Sequence, residues 1–353
     1  MRLVMGAMVI VAALAVGVMG RGGAGSAEAC AGLIGSNGAV NLGRTTTLAT
    51  YHDGVEHYVT AFQFQGGGGE FGTLIPLPGV PTKVERGGGW TLQRLQQETQ
   101  PQFEAFDLAG AAPLASRAEV LQEVRIDALD ITVLKGGGAS VAQWATEHGF
   151  SLSPDAPEVL EFYASRSPIF MAAVFDGTAA AERGQATGDG TPVSLTIPTD
   201  NPWVPLRILG LGKQAGDFIQ ADVFLLTDDE PAILPRPNDG MALTHSQPAT
   251  ELLLDDLRGD DGMGWIPESG YLTKLSINST AADLKYDLAV DTSGLDRPSR
   301  VDAGLELPSI KVPPIATGEG GGSEWIAWAL LAALVGLFGA LALGGRRPRD
   351  VQR

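Results

Sequence analysis

Four histidines and a single cysteine leave few places where this chain could support nucleophilic, acid–base or metal chemistry. Two of the histidines, His52 and His57, flank the dipeptide Asp53-Gly54. Asp-Gly between runs of β-branched and aromatic residues favours a two-residue type I′ hairpin turn. In that register His52 pairs with Val55 and Thr50 with His57, so both imidazoles leave one face of the hairpin, about 7–8 Å apart. Thr50, His52, His57 and Gln63 share that face, whereas Tyr51, Tyr58, Phe62 and Phe64 form the other and read as core. Two exposed imidazoles could hold a transition metal if a carboxylate from elsewhere completed the set. No third ligand can be named from sequence, and two solvated histidines beside a turn are the simpler reading.

A second candidate is acidic. Asp255, Asp256, Asp260 and Asp261, interspersed with Gly259, Gly262 and Gly264, follow a helical pattern. Calcium takes six to eight oxygens, and such a turn could offer several, but the spacing departs from the twelve-residue calcium loop and equally fits a solvated helix end. Gly66 to Gly69, followed by Glu70, lacks the helix N-terminus and lysine of a phosphate cradle and reads as a hairpin loop. Arg258-Gly259-Asp260 is too short to carry weight, and Asn278-Ser279-Thr280 is a glycosylation acceptor only where that machinery exists. The chain contains no G-x-S-x-G, H-E-x-x-H or G-x-x-x-x-G-K-[ST]. Nothing in it calls for a cofactor.

Strand patterns dominate the elements that would position these residues. β-Branched and aromatic runs predict strands over 45–52, 55–64, 71–77, 120–126, 129–134, 169–175, 193–197, 204–209, 218–227, 272–277 and 287–290. Helical periodicity predicts helices over 91–98, 140–148, 156–165 and 248–258. Helices scattered singly among strands predict an α+β fold with a mostly antiparallel sheet.

Several ordered phrases within these elements are distinctive: FGTLIPLPGVP at 71–81, VLKG at 133–136 with Trp144 and Gly149-Phe150, VPLRI at 204–208 and YLTKL at 271–275. Together they resemble the bacterial secreted family known as domain of unknown function number 2330, over most of residues 30–290. The resemblance implies a bacterial envelope protein with a signal peptide and often a C-terminal anchor. It brings no activity, cofactor or site residue with it. The prolines also have a local meaning, since Pro76, Pro78 and Pro81 cannot donate to a ladder and suit a sheet end or edge.

The two ends agree with export. Arg2, an apolar run over 3–19 and Ala27-Glu28-Ala29 form the three parts of a secretory signal, with cleavage between Ala29 and Cys30. An uncleaved anchor is the alternative, because 17 apolar residues nearly span a bilayer. A lone Cys30 excludes an intramolecular disulfide. At the other end, 19 uncharged residues over 325–343 match the thickness of a hydrocarbon layer. Trp325 and Trp328 suit the outer headgroups, and Arg346 and Arg347 begin a basic cluster that places the C-terminus in the cytoplasm. Gly336, Ala340 and Gly344 offer a small-residue stripe for weak self-association, which small residues in membrane helices also show by default. Gly320 to Ser323 ahead of this helix also resembles a glycine-glycine sorting signal, in which the helix is removed.

The predicted organisation is therefore a signal peptide (1–29), an extracytoplasmic region of one large or two small domains (30–291), a Pro/Gly-rich tether (292–324), a transmembrane helix (325–344) and a basic cytoplasmic tail (345–353). Residues 30–324 carry 18 basic and 39 acidic side chains, a net charge near −21. That argues against nucleic acid, anionic headgroups and anionic polymers as partners. The expected function is a non-catalytic binding or scaffolding module for an unidentified envelope ligand. The alternatives are an envelope hydrolase with an unrecognised carboxylate pair and a metal-dependent adhesion module.

Overall fold

The heptapeptide Ile169–Phe175, IFMAAVF, has no polar side chain to offer water, and all seven residues are buried. Such a strand must lie inside a sheet covered on both faces. The structure, a computed structural model, describes residues 32–35, 44–62, 71–99, 119–176, 179, 182–183 and 191–308. Its strands are β1 (Gly32–Gly35), β2 (Arg44–His52), β3 (Val55–Phe62), β4 (Phe71–Leu77), β5 (Lys83–Arg86), β6 (Glu119–Ile126), β7 (Leu129–Lys135), β8 (Ile169–Phe175), β9 (Thr191–Pro198), β10 (Trp203–Val204), β11 (Phe218–Thr227), β12 (Ala232–Leu234), β13 (Met241–Pro248), β14 (Tyr271–Thr280) and β15 (Leu288–Asp291). The helices are α1 (Thr91–Thr99), α2 (Gly138–Glu147), α3 (Ala156–Ala164) and α4 (Glu251–Gly259).

Three sheets form. A seven-stranded sheet has the order β13-β14-β11-β2-β3-β9-β5, a five-stranded sheet β1-β4-β8-β7-β6 and a small sheet β10-β15-β12. Every pairing is antiparallel except β2 with β11. The mostly antiparallel α+β fold with four helices is thus as the sequence predicts.

The two large sheets pack face to face. Tyr58, Leu195, Val223 and Leu275 from one meet Ile75, Ile131 and Met171 from the other, with Val204 and Leu288 of the small sheet in the same core. Helices α2 and α3 cover the far side of the five-stranded sheet, where Trp144, Leu160 and Tyr163 lie with Leu74 and Phe170. Helices α1 and α4 cover the far side of the seven-stranded sheet through Leu92, Leu95, Leu253 and Leu257 against Leu48, Val59 and Phe224. The layers run helix, sheet, sheet, helix. Strand β2 is central in this arrangement, so Thr45, Thr46, Thr47 and Thr50 are buried in spite of their hydroxyls.

The structure departs from the predicted elements in places. Residues 204–209 are not a strand: β10 ends at Val204 and a 3-10 turn, Arg207–Gly210, follows. The backbone N–H groups of Leu206 and Arg207 are diverted from any ladder to the Asp287 carboxylate. Strands β1, β5, β12 and β13 were not foreseen, because three or four residues are too few to show a period and the edge strand β13 is largely polar. Helix α4 starts at Glu251, where Thr250 Oγ1 accepts the Leu253 N–H as its cap.

The packed chain also runs on past Asp291 to Pro308, the end of one compact unit. The Asp287 N–H donates to Ala303 O, the buried Arg166 guanidinium donates to Asp302 O, and Ala303 itself is buried. Residues 292–308, assigned to the tether from their Pro and Gly content, are therefore part of the domain. Among the described residues no helix is long and apolar enough to cross a membrane. Ala29, Cys30, Trp325, Trp328, Gly336, Arg346 and Arg347 lie outside the described residues.

Candidate functional site

The β2–β3 hairpin forms in the predicted register, with Thr50 opposite His57 and His52 opposite Val55. Asp53 and Gly54 have φ of 48° and 76°, the left-handed pair that a type I′ turn requires. His52 and His57 accordingly share a face, which α1 and α4 cover farther along the strands; His52, beside the turn, is exposed, as the simpler sequence reading expects, and His57 is half-buried. His57 lies flat against Trp265, with ring centroids 4.0 Å apart and planes 5° from parallel. Its Nδ1 is 3.4 Å from Thr196 Oγ1. Burial, aided by the Lys83 charge, lowers its pKa to about 4, so the ring is neutral at physiological pH. His52 is engaged elsewhere: Nδ1 sits 2.6 Å from Asp228 Oδ1, and Nε2 3.3 Å from Asp53 Oδ2. Among the described residues no group of three or more His, Cys, Asp and Glu side chains is placed to hold a metal ion.

The acidic turn after α4 is a helix cap. Asp260 Oδ2 accepts the N–H groups of Trp90 and Thr91 at 2.9 and 2.8 Å and the Thr91 hydroxyl at 2.8 Å, while Oδ1 accepts the Gly89 N–H. A carboxylate from α4's end thus satisfies the free N–H groups at the start of α1 and meets its positive dipole end. Gly88 is required there, because a Cβ would strike Asp260 and Thr91. Asp256 pairs with Arg94, which also holds Glu98, and Asp255 pairs with Arg258. Three of the four carboxylates therefore join the two helices or brace α4 itself, which corrects the calcium-loop reading.

Two buried ionisable clusters and one lone buried carboxyl were missed in the sequence. The first joins α3, the 3-10 turn and β15. Asp287 Oδ1 accepts Tyr163 Oη and the N–H groups of Leu206 and Arg207 at 2.7, 2.8 and 3.0 Å, while Oδ2 faces Arg166. The Arg166 guanidinium also lies over Phe162, 4.0 Å from the ring centroid. In the second, Lys274 Nζ sits 3.8 Å from Asp222 Oδ1 and over the Phe224 ring, and Ser276 Oγ donates to the same carboxylate at 2.8 Å. Both clusters compensate charge with charge and hydrogen bonds, which is what makes a buried ion pair tolerable.

Glu56 is different. It is fully buried on β3, between Tyr51 of β2 and Ile197 of β9, on the face that meets the five-stranded sheet. Neither carboxyl oxygen has a hydrogen-bond partner among the described residues. Burial pushes its pKa up to about 8, against an opposing effect of the Trp203 backbone. Glu56 is therefore a neutral acid at pH 7. Its signal was present in the sequence: the alternation that turns Tyr58 inward turns Glu56 inward as well.

A family model described as an uncharacterized protein conserved in bacteria, DUF2330, matches residues 24–228, more than half of the chain. No curated protein matches. Among solved structures, a mutated baculovirus P35 after caspase cleavage is similar at 10% identity and a TM-score of 0.38, over 71% of this chain and 100% of that one. Baculovirus P35 itself gives 10% and 0.37, over 72% and 97%. Likeness of that degree supports no statement about fold or function.

Proposed function

The chain belongs to that bacterial family, and we propose that it is an exported, membrane-tethered protein whose sandwich serves as a non-catalytic binding or scaffolding module of the cell envelope. The observation that supports this reading in the folded part is how its buried charges are used. Asp260 caps α1, Asp287 ties α3 to β15, and Asp222 neutralises Lys274. A hydrolase built on two carboxyls would hold both within reach of one substrate, one as acid and one as base. Here Glu56 is sealed within the sandwich and Asp287 is consumed by four donors.

Support for the tether comes from the ends of the sequence: a basic start, an apolar run and Ala27-Glu28-Ala29, then 19 uncharged residues over 325–343 followed by Arg346 and Arg347. Fractionation of cells tests it. The protein is expected to stay with membranes through an alkaline carbonate wash, and protease added from outside is expected to digest the sandwich and spare a tag placed after Arg353. Recovery in the soluble fraction, or loss of the tag to external protease, would contradict the proposed topology.

A further inference from the structure

Ten large hydrophobic side chains are exposed among the described residues, and three of them, Leu295, Leu305 and Leu307, fall within the thirteen residues just before the described chain ends. Their exposures are 66, 41 and 86%. Scattered singly, exposed leucines need no explanation; three in one short segment do. The segment is also held in place. Ala303 is buried, its carbonyl accepts the Asp287 N–H at 3.1 Å, and the Asp291 carboxylate accepts the N–H groups of Ser293 and Arg297 at 2.8 and 2.7 Å. Gly304, at φ 69°, leaves no room for a Cβ beside the Phe162 ring of α3. The leucines are thus presented on a fixed backbone.

Between Pro308 and Trp325 lie only 16 residues. Sixteen residues can reach no farther than about 53–58 Å, close to the roughly 50 Å diameter of a domain of about 280 residues, so the end of the domain at Pro308 cannot leave the neighbourhood of the anchoring membrane. Residues 292–308 carry two arginines against three acidic side chains, and Arg300 is paired with Glu306. Their net charge of −1 over 17 residues matches the average of residues 30–324, so the lipid surface they could meet is a zwitterionic one and not an anionic one. We propose that residues 295–307 rest on the lipid surface of the anchoring membrane, with Leu295, Leu305 and Leu307 entering the headgroup region. Shallow burial of apolar side chains at a bilayer interface is favourable, and the short tether holds this segment near it. The proposal rests on the membrane-anchor reading given above.

Spin labelling of the full chain in phosphatidylcholine nanodiscs tests it, with Cys30→Ser as background and single labels at Leu295→Cys, Leu307→Cys and Leu252→Cys. Leu252 is 68% exposed on α4, in the opposite helical layer, and serves as the water-exposed reference. Oxygen, which concentrates in lipid, is expected to relax the labels at 295 and 307 several-fold more than a water-soluble nickel chelate does, with the reverse at 252. If the chain is retained in the discs and the label at 307 behaves like the one at 252, the lipid contact is wrong and the anchor stands. If the chain is not retained in the discs, the anchor reading fails and the lipid contact with it.

Discussion

Replacing Glu56 by Gln keeps the shape of a buried side chain and removes its titration. Glu56 titrates near pH 4.5 when free and near pH 8 in the fold, because burial disfavours the carboxylate. The native state therefore holds the proton more tightly than the unfolded one. Stability that is fully present below pH 4.5 is lost steadily as pH rises and levels off above about pH 8. At 1.36 kcal/mol per pH unit, a shift of roughly 3.5 units is worth about 5 kcal/mol. That is an upper value, since water admitted around an ionised Glu56 lowers the cost. Glu56→Gln carries no such term. Its thermal unfolding midpoint, followed by near-ultraviolet circular dichroism of the full chain in mild detergent, is expected to match wild type near pH 5 and to exceed it increasingly toward pH 8. At about 2–4 degrees per kcal/mol, the difference should approach roughly 10 degrees or more at pH 8 if that upper value is realised. Parallel pH profiles for the two proteins would refute the assignment of Glu56 as a neutral buried acid.

Other perturbations have different expected outcomes. Asp260→Ala frees the N–H groups at the start of α1 and is expected to cost about 2 kcal/mol in denaturant unfolding, whereas Asp255→Ala, which removes an exposed ion pair, should cost less than about 0.5. Millimolar calcium should leave the melting temperature of the wild type unchanged; a calcium-dependent rise lost in Asp260→Ala would restore the ion-binding reading. Gly54→Val should destabilise by about 1–2 kcal/mol for conformational reasons alone, because φ is 76° and a Cβ there would meet nothing within 4 Å. Gly54→Asn should recover most of that loss, since asparagine tolerates the left-handed region, and equal losses would point to a contact instead. Zinc at millimolar concentration is expected to give no stabilisation that His57→Ala removes, because His57 lies stacked on Trp265; a metal-dependent rise abolished by that substitution would reverse this.

The hairpin was legible because a two-residue Asp-Gly turn fixes both register and face by local rules, and the register observed at Thr50, His52, Val55 and His57 is the one the turn dictates. What lies over each face is not a local property. The histidine-bearing face reads as solvated until the α1–α4 layer, contributed by residues 91–99 and 251–259, is laid over it farther along the strands. Asp260 could not be read as the cap of α1 from a stretch about 170 residues away, and only the helix pairing brings the two together. Asp222 and Lys274 were visible as isolated opposite charges in two predicted strands, and the β11–β14 pairing places Asp222 opposite Ser276 and Lys274 opposite Phe224. Glu56 was accessible to alternation alone, given Tyr58 as core. The strand expected over 204–209 failed because Asp287 takes two of its N–H groups, a competition between distant residues that periodicity does not register.

The claim that the sandwich is displayed outside the cytoplasm on a retained helix is tested most directly by mass spectrometry of the intact protein extracted from membranes. The expected molecule begins at Cys30 and ends at Arg353, with both the export signal removed and the anchor kept. A membrane-free species ending near Gly322, or a chain still beginning at Met1, would contradict it.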